Sequence, residues 1–170
     1  MRNLNISSFS KIQNEFCANI RYMCQNCFSG LIYLVNGNNE LFSVNVDHQD
    51  IKKLNFAWKS EETQNLEVVS MCFLMDEMGV CIAFASGEIV VYDCENETTS
   101  CVASITSGIS NLSVSPDQEL IVIITNESSF ILMDKMFDPI CEKVIDVSEF
   151  GCGEAVNVGW GSKQTQFHGS

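Results

Sequence analysis

The chain has 170 residues and carries 22 acidic against nine basic side chains, a formal net charge of −13. That balance excludes a surface built to grip nucleic acid, which needs clustered Lys and Arg against the phosphates, and it disfavours an anionic membrane surface. No apolar run approaches the roughly 20 residues of a membrane-spanning helix, and Met1-Arg2-Asn3-Leu4-Asn5 leads into polar residues, not into the apolar centre of a secretory signal.

The nine cysteines are odd in number, irregularly spaced and set mostly within apolar runs, as at Cys72 and Cys81. Free cysteine is a common core residue in reducing compartments. We therefore read the chain as intracellular, and the compartment expected is the cytoplasm, with the nucleus second. Asn5-Ile6-Ser7, Asn96-Glu97-Thr98 and Asn126-Glu127-Ser128 match the glycosylation sequon but go unused in that setting.

Met1 to Lys11 reads as an outer strand or an ordered lead-in. Phe16 to Ile20 and Arg21 to Phe28 are apolar enough for short strands. Gly30 to Val35 and Glu40 to Val46 form a hairpin pattern around Asn36-Gly37-Asn38-Asn39, and Asn-Gly favours a turn with positive φ at both central positions. Ile51 to Trp58 is the expected outer strand of this first module. Lys59 to Gln64 is charged and aperiodic, and reads as a loop.

From Val68 to Asp134 the same pattern occurs twice, about 41 residues apart, a spacing typical of propeller repeats. Met71 aligns with Leu112, Phe73 with Val114, Asp76 with Asp117, Val80 with Ile121, Ile82 with Ile123, Val90 with Ile131, Tyr92 with Met133, and Asp93 with Asp134. The first turns are Met75-Asp76-Glu77-Met78-Gly79 and Ser115-Pro116-Asp117-Gln118-Glu119. The second are Ala85-Ser86-Gly87-Glu88 and Asn126-Glu127-Ser128-Ser129, and both sets are rich in residues that suit a reversal.

The strands Val80–Ala85, Glu119–Thr125 and Glu88–Asp93 are apolar on both faces. A sandwich strand alternates, whereas an inner propeller strand is covered on both sides by neighbouring blades. A buried parallel sheet gives the same runs, but it needs crossover helices for which no segment has room. Cys101 to Ile105 supplies the outer strand of the second module, and Pro139 opens the outer strand of the third, where a missing donor does little harm. Ala155 to Trp160 is expected to open another inner strand.

The fold class is therefore all-β, an incomplete WD40-like β-propeller. The expected blades span 12–62, 66–105 and 108–148, with the start of the next at 155–170, all within one set of blades spanning 1–170. A closed propeller needs at least about four blades, so we expect the natural chain to continue. The last blade is expected to expose an apolar flank and free strand edges.

Few residues suggest chemistry. Cys24-x-x-Cys27 is half a zinc or redox signature, but the next cysteine is Cys72 and His48 stands alone. Gly151-x-Gly153 with Gly159 lacks the strand-then-helix setting of a phosphate loop. His48 and His168 lie near no nucleophile motif. Asp76, Asp93, Asp117 and Asp134 read as turn caps, and Asp93 and Asp134 fall at the Asp of the Trp-Asp repeat dipeptide, with Tyr92 and Met133 in place of the Trp. We assign no catalytic, cofactor-binding or metal-binding residue and no cofactor, and expect no enzyme. An enzyme using the Cys pair or an acid at the propeller mouth is the contrary reading, and stoichiometric zinc would revive it.

The opening Met1-Arg2-Asn3-Leu4, Ser107-Gly108-Ile109-Ser110 leading to Ser115-Pro116-Asp117-Gln118-Glu119-Leu120, and Phe137-Asp138-Pro139-Ile140 together resemble the amino-terminal region of the Elongator largest-subunit family. The most specific stretch is Val158-Gly159-Trp160-Gly161-Ser162-Lys163-Gln164-Thr165-Gln166-Phe167-His168-Gly169-Ser170. The resemblance runs the length of the chain and is weakest between about Ser8 and Asn65.

The resemblance implies a non-catalytic scaffold with WD40 propellers, supporting modification of wobble uridine in transfer RNA. The radical and acetyl-transfer chemistry would sit in another subunit. Implied partners are that catalytic subunit and the WD40 subunit of the complex. Contact with tRNA and homodimerisation are implied only through segments beyond Ser170. No membrane partner is implied, and no family site residue maps onto these positions. The alternative is an unrelated WD40-like adaptor, such as a vesicle-coat scaffold.

Overall fold

The computed structural model describes residues 19–48, 50–56, 58, 66–146 and 157–161. Among these residues the secondary structure is all strand, in three four-stranded antiparallel sheets. The chain divides into two compact units, 1–55 and 56–170.

The first unit holds one meander: β1 (Ile20–Gln25), β2 (Ile32–Asn36), β3 (Leu41–Asn45) and β4 (Asp50–Lys53), hydrogen-bonded in chain order. Its core is Leu34, Phe42 and Val44, flanked by Ile32 and Ile51. The outer strand is shorter than the expected Ile51–Trp58. It stops at Lys53, after which the Leu54 amide makes one more bond, to the Leu41 carbonyl. The expected strand over Phe16 to Ile20 lies largely outside the described residues.

The Asn36–Asn39 turn also departs from expectation. Gly37 is not in the left-handed region; Asn39 is, at φ 58°. Asn39 N–H donates to the Asn36 carbonyl, so this is a type I turn followed by one left-handed residue. The Asn36 side chain fixes it, accepting from the amides of Asn38 and Glu40.

The second unit holds two meanders. One is β5 (Val68–Leu74), β6 (Gly79–Phe84), β7 (Glu88–Asp93) and β8 (Thr98–Ser104). The other is β9 (Ile109–Val114), β10 (Leu120–Thr125), β11 (Ser129–Asp134) and β12 (Pro139–Val144). The strand starts pair as 68 with 109, 79 with 120, 88 with 129 and 98 with 139, so the offset is the same for all four. The structure begins β8 three residues before the expected Cys101, because its outward positions are polar and exposed and leave no apolar signature.

Every residue of β6 is buried, and so are five of the six in β10. One face of each sheet enters a shared core of Cys81, Ala83, Ile89, Val91, Ile121 and Ile123, with Ile131 and Met133 behind. The first strands of the two sheets pack on each other, β9 against β5 and β6. The outer strands β8 and β12 diverge around an open groove. Converging inner strands and diverging outer strands make these two sheets blades of a propeller.

The far face of the last blade corrects one expectation. Val122 and Ile124 are each only 2% exposed, and the Trp160 indole N–H donates to Ser113 Oγ at 3.2 Å on that side. The edge strand β12 is open, with Val144 78% exposed. Ala155 and Val156 lie outside the described residues, and Asn157–Gly161 carry no strand.

Ile123 is fully buried at the centre of the shared core. Ile123→Ala is expected to cost about 2–5 kcal/mol in urea unfolding, from lost apolar burial plus a residual cavity. A loss under about 1 kcal/mol would contradict this placement of β10.

Candidate docking surfaces

Several of the hairpin turns share one backbone solution. Amides donate back three residues from Met78 to Met75, Gln118 to Ser115, Ser128 to Thr125 and Phe137 to Asp134. The donor residue is left-handed each time, with φ of 45°, 59°, 58° and 65°. At the Phe84–Gly87 turn that residue is a glycine, at φ 112°, where a Cβ would run into the Ile105 carbonyl oxygen.

Holding Gln118 in this conformation aims its side chain back across the seam between the blades. Its amide Nε2 donates to the Phe73 carbonyl at 3.0 Å, and its Oε1 accepts from the Met75 amide at 2.7 Å. One side chain thus pairs with the end of β5 as a further piece of backbone would. At the next turn Asn126 Nδ2 donates to the Ala85 carbonyl at 3.1 Å, which also accepts from the Ile109 amide at 3.2 Å. Between them Ser70 Oγ donates to the Leu112 carbonyl at 2.6 Å. Lys135 closes the outside of the seam with ion pairs to Glu119 at 3.1 Å and Asp76 at 3.2 Å, which raise the lysine above its ordinary pKa.

The acidic turn residues behave unequally. Asp93 Oδ1 accepts from the amides of Glu95 and Asn96, and Oδ2 from the Asn96 side chain. Those bonds favour the carboxylate, the Asn96 side chain foremost, and hold Asp93 below its ordinary pKa. Asp134 accepts from Met136 and Asp138 in the same way, and in the first unit Asn45 takes the equivalent place. Asp117 accepts from Ser115 Oγ at 2.7 Å. Asp76 departs from the expected capping role and turns outward to Lys135.

Tyr92, at the Trp position of the repeat dipeptide, is buried, and its ring meets Phe56 edge-on at 6.4 Å. Its hydroxyl has no hydrogen-bond partner among the described residues, and burial raises its pKa.

On the outer side, β8 and the loop after it face β12 across a groove of about 510 Å³. Its floor is Ile131, Met133 and Phe137; Val102 and Ile140 stand at the rims. Among the described residues Glu142 is the one charged residue lining it.

The flagged chemical residues do not converge. Cys24 is half-buried on β1 and Cys27 is exposed in the turn beyond it, flanking Asn26, whose side chain accepts from the Phe28 and Ser29 amides. The His48 amide donates to Asn45 Oδ1. Among the described residues no group of three or more His, Cys, Asp or Glu could hold a metal ion, and no helix is long and apolar enough to cross a membrane. His168, Gly151 and Gly153 lie outside the described residues, and Gly159 has open space around it. Sequence reasoning missed Gln118 and Asn126. The available signal was the break in the aligned repeat, where they stand opposite Glu77 and Ala85.

Solved structures match this architecture at low identity, which carries the fold alone. Dihydro-heme d1 dehydrogenase NirN aligns with TM-score 0.59 at 11% identity, over 75% of this chain and 28% of that one. A chain of the mitotic checkpoint complex aligns with TM-score 0.53 at 15% identity, over 72% and 36%. Blades of four antiparallel strands with buried inner strands and Asp-capped turns define a WD40-like β-propeller, and the described residues hold three such four-stranded sheets, one in the first unit and two in the second.

A family model described as the ELP1 first N-terminal beta-propeller matches residues 1–170, and the chain belongs to that family. Relatives named Elongator complex protein 1 are 48% identical in Mus musculus over 103 residues and 36% in Drosophila melanogaster over 104, in both cases 61% of this chain and 8% of the relative. The relative in Schizosaccharomyces pombe is 29% identical over 166 residues, 88% of this chain and 13% of its own. The chain thus spans a small part of the relatives it matches.

Three outcomes follow. Gln118→Asn keeps a residue at ease in the left-handed region but shortens the arm, and is expected to cost about 1–2 kcal/mol and to speed hydrogen exchange at the Met75 amide. Tyr92→Phe is expected to leave stability unchanged or raise it by up to about 1 kcal/mol, since it removes a buried hydroxyl that gains no bond. Asp93 has a depressed folded-state pKa, so its stabilisation is present above the ordinary carboxylate pKa and is lost as pH falls through the lower folded-state value. Urea midpoints measured down that acid range should fall less steeply for Asp93→Asn than for the parent.

Proposed function

We propose that this chain is a non-catalytic docking propeller of the Elongator complex, supporting modification of wobble uridine in transfer RNA. The observation that carries the reading is the family match across residues 1–170, reinforced by relatives named Elongator complex protein 1 from mouse to fission yeast. The expected blades, 12–62, 66–105 and 108–148 with the start of another at 155–170, are the first of that propeller.

The seam geometry fits a scaffold. Two blades locked by Gln118, Asn126 and Ser70 present a stiff edge with little conformational entropy left to lose on association. In this reading the partners are the radical and acetyl-transfer subunit and the WD40 subunit of the complex. Contact with tRNA and homodimerisation belong to other segments of the full-length protein, the compartment is the cytoplasm with the nucleus second, and the chain holds no cofactor.

Affinity purification of the tagged full-length protein tests the proposal. It should recover the radical and acetyl-transfer subunit, and cells lacking the protein should lose the wobble-uridine modification by mass spectrometry of their tRNA. Recovery of vesicle-coat components in place of that subunit would overturn the reading in favour of an unrelated adaptor.

A further inference from the structure

We propose that the groove between β8 and β12 binds an extended peptide segment of a partner protein, with an apolar core and a Lys or Arg at its flank. The inference stands on the groove itself, whether or not the Elongator assignment holds.

The floor is apolar and already ordered: Ile131, Met133 and Phe137 are 6%, 4% and 8% exposed and belong to the shared core. The rims are apolar and open to solvent, with Val102 at 38% and Ile140 at 56%. Exposed apolar rims over a buried apolar floor leave unfilled burial that an apolar side chain can take.

The shape selects an extended occupant. One wall runs from Val102 to Ser107 and the other from Phe137 to Glu142, so each is about 15–20 Å of chain. A slot of about 510 Å³ along that length takes a row of side chains, whereas a helix is about 10 Å across. Ser104, Thr106 and Ser107 on one wall supply hydroxyls for the backbone groups of an extended segment.

Charge selects its flank. Among the described residues no Lys or Arg lines the groove and Glu142 is its one charged residue, and the whole chain stands at −13. A basic partner is steered in, and an acidic one is turned away. The same field disfavours nucleic acid, which needs cations here, and a second copy of this acidic chain.

The test uses fluorescence anisotropy with the full chain and three fluorescein-labelled peptides. The first alternates Leu and Ser between flanking lysines, the second replaces the lysines with glutamates, and the third replaces the leucines with serines. The lysine-flanked peptide should bind at least about threefold tighter than the glutamate-flanked one, on the scale of an exposed ion pair. Its affinity should fall at least about tenfold in the serine version and in Ile140→Asp. Ile140 is exposed, so that variant keeps its circular dichroism and melting temperature, and Glu142→Lys serves as a second variant that reverses the flank preference. Equal affinity for both flanks, unchanged binding by Ile140→Asp, or no binding of the lysine-flanked peptide overturns the proposal. So does displacement of that peptide by a short oligoribonucleotide, or a concentration-dependent dimer in sedimentation that Ile140→Asp abolishes.

Discussion

A four-stranded sheet one backbone thick, apolar on both faces, cannot bury itself. That constraint organises the second unit. β6 and β10 carry Val80, Cys81, Ile82 and Ala83, and Ile121, Val122, Ile123 and Ile124, with no polar side to turn to water. Each sheet therefore needs a second layer over its apolar face, and between these two sheets that layer is the other sheet. Stability in such an array is a sum of interfaces between neighbours, so the seam between blades is as much part of the core as the strands are.

Apolar contact is not directional and would let two such faces slide or rock. The polar links along the seam are directional, and three residues make them to main-chain groups of the facing blade. Ser70 reaches the Leu112 carbonyl, Gln118 engages Phe73 and Met75, and Asn126 reaches Ala85. They sit at the middle and at the two turn ends of the inner strands, so they fix the angle between the sheets as well as their separation. Gln118 can reach because its own backbone is left-handed. That conformation costs roughly 1 kcal/mol in a non-glycine residue, and the two bonds it makes possible offset it.

The strands of the inner sheets were legible because their signal is redundant. A run such as Gly79–Phe84 is apolar at every position, its copy recurs at a fixed offset, and a turn follows each. The outer strands were less so. Thr98–Ser104 and Asp50–Lys53 expose most of their side chains, and their pairing comes from backbone bonds that leave little mark on composition. The turns were located but not typed, since Met78, Gln118, Ser128 and Phe137 stand where glycine or asparagine would advertise positive φ. Gln118 and Asn126 were invisible as seam residues, because a polar side chain in a turn reads as solvated unless the neighbour it reaches is known. The groove was hidden for a related reason: Val102 and Ile140 lie on different blades and meet across it only once the sheets have diverged.

Divergence itself links the fold to binding. Two sheets whose first strands touch must separate toward their outer strands, because twist and the volume of the inner side chains open the wedge. Residues near the axis then fill the gap completely, as Ile109 and Ile123 do at 0% exposure, while the same gap further out outgrows the side chains available. The rim at Ile140 is what remains when that filling runs out. A propeller thus generates apolar grooves between its outer strands as a consequence of closing its centre, and sequence drift at exposed outer positions can change what those grooves accept without disturbing Ile121 or Ile123 beneath them. Among the described residues this groove holds one carboxylate and no cation, so specificity can be set by charge at the rim while the stability of the blade pair is set elsewhere.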